Sequence, residues 1–289
     1  MSLKTDPRRA AQVGAALYQA FHGDGVLGAV SMPGAILPDT VERGSVEHLH
    51  FITLTVAIDY MRDADALWAA SRKTIADPTT SYLYIPHAVA AADFDRLVQD
   101  MQKYRLSKKA EKDAQIWRDI CITLVQHFEG DVRVLLERQH FHAPTILATI
   151  RTPRYNFPFL KGATIGPLWL RILDSNWRGN LFTGLVELPI PVDIHIAAAT
   201  VMTGCVQGPF EGPFSVLRNA IEELWFSACE GTPYYPLQFD EGLWHLSRRG
   251  CRKTQGFPCE FRWQCPVAQF CAETPMLQTA DWITVGKAE

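Results

Sequence analysis

LPIPVDIHIAAATVMTGC, residues 188–205, is the stretch on which the reading of this chain turns. Pro189 and Pro191 keep the approach extended, because proline fixes its own φ and pushes the preceding residue out of the helical region. Asp193 then stands where an alanine-rich helix begins, and a carboxylate there accepts the unpaired amide hydrogens of the first turn. Two roles fit Asp193: a helix cap, or a carboxylate held at the mouth of a cleft by a rigid lead. His195, two residues on, reads as a satisfied core histidine.

Upstream lies PFLKGATIGPLWLRIL, 158–173, a glycine-bearing turn that flows into an amphipathic helix. Gly162 and Gly166 let backbone amides come close to a phosphate, although most such turns only connect helices. Downstream, CRKTQGFPCEFRWQCPVAQFC at 251–271 holds four of the seven cysteines, separated by seven, five and five residues. Four such cysteines admit two disulfides, a zinc site, a metal–sulfur cluster, or separate thiols. Structural zinc sites favour short C-x₂₋₄-C pairs, which this segment lacks. Arg248, Arg249, Arg252 and Lys253 crowd the start of the segment, as either a solvated face or a local patch for a polyanion. Cys121, Cys205 and Cys229 read as buried packing residues.

Composition bounds the rest. The 289 residues are 47% hydrophobic and 20% charged with a net charge of −3, a globular profile that excludes a uniformly basic chain. No run approaches the ~18 apolar residues of a membrane span, and MSLKTDPRRAAQVG lacks the apolar core of a secretory signal. Cytosol is therefore the expected compartment, where disulfides are rare.

Apolar spacing predicts helices over 46–60, 93–104, 110–128, 194–203, 215–229 and 240–249, with Asp93, Ser215 and Asp240 as further caps. The stretches 22–45, 138–167, 174–192 and 205–214 carry Gly or Pro and read as irregular. The fold class expected is all-α.

The order of these pieces resembles the helix-hairpin-helix DNA glycosylases of the endonuclease III type. The matching stretches are LKGATIG at 160–166, VDIH at 192–195 and GLWHLSRRGC at 242–251 running into the cysteine loop. Residues 105–132 and 45–75 are similar to that family's earlier helices, so the likeness spans about 45 to 275. It implies two lobes: a helical barrel over 46–188, and a cluster lobe from 1–45 plus 189–289, with Asp193 and the hairpin in the cleft between them.

The resemblance also implies the chemistry. Cys251, Cys259, Cys265 and Cys271 would ligate a [4Fe–4S] cluster, with a middle gap longer than the family's. Asp193 would be the catalytic aspartate. Gly162, Gly166, Lys161, Arg252 and Lys253 would contact DNA. The family's Schiff-base lysine falls here on Gly166 or Leu168, which implies a glycosylase without lyase chemistry. The family inserts a side chain into the duplex from the region of Ile58, Asp59 and Tyr60. The partner implied is duplex DNA with a damaged or mismatched base, bound by a monomer. The alternative is a non-catalytic DNA-binding iron–sulfur protein of the same fold.

Overall fold

The computed structural model describes residues 3–23, 31–177, 181–251, 259 and 262–286. Among them, the helices are α1 (Pro7–His22), α2 (Val46–Ala57), α3 (Ala64–Ala76), α4 (Pro86–Ala91), α5 (Phe94–Gln102), α6 (Ala110–His127), α7 (Val132–Arg138), α8 (Ala143–Arg151), α9 (Ile165–Asn176), α10 (Ile194–Met202), α11 (Phe214–Cys229) and α12 (Asp240–Leu246). The strands are short: β1 (Lys4–Thr5), β2 (Val206–Gln207), β3 (Phe210–Pro213), β4 (Met276–Thr279) and β5 (Trp282–Val285). The protein is mostly helical, and no helix among the described residues is long and apolar enough to cross a membrane.

Two compact units divide the chain, one continuous over Ser31–Leu185 and one built from both ends, Met1–Val30 with Val186–Glu289. The first border therefore falls at 31 rather than at the expected 46. Residues 31–45 pack on the continuous unit because Gly34 lies against Trp68 and Ile172, where a Cβ would meet both rows of atoms near 3.1 and 3.2 Å. Arg43 Nη1 adds hydrogen bonds to the carbonyl and side-chain oxygens of Asn176.

The continuous unit is organised around α2, buried at every residue from His48 to Ala57. A helix without a polar face belongs at the centre of a bundle, and α3, α6, α7 and α9 pack around it. Its hydroxyls are paired within the core: Trp169 Nε1 donates to Thr53 Oγ1 at 2.9 Å, and Thr55, Ser71 and Tyr84 form a buried chain. Trp68, Trp117 and Trp169 supply much of the apolar bulk.

The discontinuous unit packs α1 against α11 and α12, and α12 against α10. Gly14 of α1 faces the ring of Phe239 so closely that a Cβ would come within 2.8 Å of it. β1 pairs with β2, joining residues 4–5 to 206–207. The antiparallel order β3-β5-β4 covers one end of α11. These strands qualify the all-α expectation, since the sequence shows little period-two alternation at such short lengths.

Other departures have local causes. The stretch 138–167 is not irregular throughout, because Pro144 sits in the first turn of α8, where a missing N–H costs nothing. Ser215 is not a cap: Pro213 sets the backbone and α11 starts at Phe214. Asp240 is likewise the first residue of α12 rather than the residue before it. Asp93 does cap α5, accepting from Arg96 N at 3.0 Å.

Candidate functional site

Asp193 is held by the start of α10. Its Oδ1 accepts from the amides of His195 and Ile196, both at 2.8 Å, and the side chain is half-buried. The extended backbone before it is the product of the buried Pro191 and Val192. The carboxylate is thereby fixed at the N-terminal end of α10.

The cysteine segment is tied to the same helix at both ends. Beyond α12 the chain continues into a π-helical turn, Ser247–Cys251, that packs on α10. There Ser247 Oγ lies 3.4 Å from His195 Nδ1, and the ring of Trp244 meets the His195 ring edge-on. At the other end, Ala272 N donates to Met202 O at 2.8 Å, at the last residue of α10. Arg9 of α1 reinforces this join, donating to Thr203 O at 2.6 Å and to Phe270 O at 2.7 Å. Between the ends, Val267 is buried in the core and short turns connect Cys259, Cys265 and Cys271.

All seven cysteines are unbridged, which sets the two-disulfide reading aside. Two thiols of the segment, Cys251 and Cys265, are raised by their surroundings. Burial pushes Cys251 up to about 12, and the neighbouring Cys265, Cys271 and Cys259 add to the rise. Burial also raises Cys265, with Cys271 and Cys259 acting in the same direction. In donor chemistry alone, four cysteines suit a metal–sulfur centre, and a bound metal would deprotonate them. Among the described residues, no group of three or more His, Cys, Asp or Glu is placed to hold a metal ion. Cys121, by contrast, is fully buried in α6 and pushed above the usual thiol range by burial alone.

Gly162, Gly166 and Lys161 belong to the continuous unit. The amide of Gly162 donates to Phe159 O at 2.8 Å and that of Gly166 to Gly162 O at 3.1 Å. The amides of the two glycines themselves are thus taken up inside the turn. What the turn requires of Gly166 is space, since a Cβ would come 2.7 Å from Leu160 O. Lys161 is exposed, and its carbonyl accepts from Arg151 Nε at 3.1 Å. Arg252 and Lys253 lie outside the described residues.

In the segment after α2, Ile58 is fully buried and the Tyr60 hydroxyl donates to Asp113 Oδ1 at 3.0 Å. Burial pushes the Asp59 carboxyl up to about 6, against the pull of Arg62 and Trp68. Met61, which sequence reasoning passed over, is 82% exposed with φ +50°. Ser247 and Arg9 were missed as well: a serine and an N-terminal arginine carry no motif, and only the fold brings them to α10.

Comparison with known proteins assigns no family, since neither a protein-family model nor a curated protein sequence matches this chain.

Proposed function

We propose that this chain is a DNA N-glycosylase that hydrolyses the bond between a damaged or mismatched base and its sugar. The observation that carries this reading is the shared scaffold of α10: it fixes Asp193 at its start and anchors both ends of the cysteine segment. The order of VDIH, basic turn and four cysteines gives that scaffold its resemblance to iron–sulfur glycosylases.

In this chemistry the target nucleotide leaves the stack and enters a pocket. Breaking the glycosidic bond builds positive charge on the sugar. The ionised carboxylate of Asp193 stabilises that charge and orients or deprotonates the attacking water. Cys251, Cys259, Cys265 and Cys271 would hold a [4Fe–4S] cluster, which when bound supplies a rigid cross-link rather than base chemistry. The absence of a lysine at Gly166 or Leu168 favours water as the nucleophile and a monofunctional enzyme.

The test is base release from duplexes carrying uracil, thymine mismatches, 8-oxoguanine, alkylated bases or oxidised pyrimidines. On the best substrate, Asp193→Asn loses about 10²–10⁴-fold in rate yet keeps its stability, because asparagine caps as well as aspartate. Asp193→Ala also loses activity but costs about 1 kcal/mol in unfolding free energy. Full activity in Asp193→Asn would refute the assignment.

A further inference from the structure

The continuous unit carries a basic and aromatic face that the reaction chemistry leaves unused. The rings of Tyr60 and Phe159 stack with centroids 4.2 Å apart and planes 16° from parallel. Three ammonium contacts cover them: Lys109 and Lys112 lie 5.5 and 5.4 Å from the Tyr60 centroid, and Lys112 lies 5.3 Å from that of Phe159. Lys108, Lys109 and Lys112 are exposed, and none of the three has an acidic side chain at ion-pair distance among the described residues. Glu111 is the exposed acid of the same turn.

This arrangement is built, not adventitious. Buried Asp113 accepts from the Tyr60 hydroxyl and from the amides of Lys108 and Lys109 at 2.7 and 2.9 Å. Arg62 Nη1 donates to Leu106 O at 2.8 Å, and Lys108 Nζ donates to Met61 O, so the two loops are locked together. Met61, Arg105 and Phe159, all non-glycine residues of these loops, adopt left-handed backbone with φ of +50°, +60° and +62°. Strain of this kind persists only where the surroundings over-determine it, and it concentrates at functional positions. Lysines held over ring faces lose less side-chain entropy on meeting a partner than freely moving ones.

We infer that the face formed by Lys108, Lys109 and Lys112 on the Tyr60–Phe159 stack binds the sugar–phosphate backbone of duplex DNA. Charge complementarity selects the partner: three ammoniums along one short stretch, with no acidic partner among the described residues, suit a polyanion, and the start of α6 adds the positive end of an 18-residue helix. The inference rests on the proposed function for its choice of polyanion.

It is tested by anisotropy titration of an undamaged duplex over a range of salt, using the full-length protein. The variant K108Q/K109Q/K112Q is expected to lose on the order of a hundredfold in affinity near ~0.1 M salt, and the log–log salt slope should fall by about 2–3. K108R/K109R/K112R keeps the charges and should bind as the parent does. Parental binding by the glutamine variant overturns the inference, as does equal loss in both variants or a loss with an unchanged salt slope. Base release is a separate measurement. If no duplex in the panel loses a base while the glutamine variant still loses binding, the glycosylase reading fails and this one stands.

Discussion

At the scale of single residues, buried His48 and half-buried Asp59 of the continuous unit act against each other. Burial, helped by the Arg43 charge, lowers His48 to about 4, so below its ordinary 6.5 the unfolded chain takes up a proton that the fold refuses. Stability from this source is lost as pH falls from 6.5 to 4, by about 3 kcal/mol in all. Asp59 has the opposite sign: it stays protonated up to about 6 in the fold, whereas the unfolded carboxyl ionises from 3.8. Its contribution is lost as pH rises through that window, again by about 3 kcal/mol. The parent is therefore nearly flat between pH 4 and 6 in these two terms. Asp59→Asn unmasks His48: denaturant titrations should find it more stable than the parent at pH 7, with the gain vanishing toward pH 4. A pH-independent difference would show that Asp59 is not held protonated.

At the scale of elements, the turn before α9 shows a glycine whose own amide closes the turn and whose missing Cβ lets it close. Gly166→Ala keeps the amide and its bond to Gly162 O, yet its Cβ would also press Leu147 Cδ2 at 3.0 Å. A cost of about 1–3 kcal/mol follows, seen as a fall of several degrees in thermal unfolding. An unchanged midpoint would mean that the turn yields freely. The sequence showed the glycines and the helix after them, because local backbone rules are written in neighbouring residues. It could not show where the amides point, which depends on how Phe159 closes the turn. The same distinction holds elsewhere: Asp193 was legible as a cap because its partners are two and three residues away. Met61 was not, because its loop is set by contacts of Arg62 with Leu106 and of its own carbonyl with Lys108, more than forty residues distant.

At the scale of the whole molecule, two units with separate cores imply two unfolding events. The cysteine segment lies wholly in the discontinuous unit, so only that unit would draw stability from the proposed centre. Protein prepared anaerobically should contain iron and acid-labile sulfide in equal amounts. Calorimetry should resolve two transitions, of which chelation lowers one and leaves the other in place. Zinc without sulfide, or a shift of both transitions together, would contradict this.

The joining of the two chain ends has a further consequence for synthesis. Arg9 finds its partners 194 and 261 residues later, at Thr203 and Phe270. At ~5–20 residues per second on the ribosome, α1 leaves the exit tunnel roughly 10–40 s before the first of these exists. Meanwhile Ala10, Val13 and Leu17 have nothing to pack against, while Ser31–Leu185 already contains its whole core. The nascent chain thus carries α1 with its apolar stripe uncovered while Ser31–Leu185 is already complete.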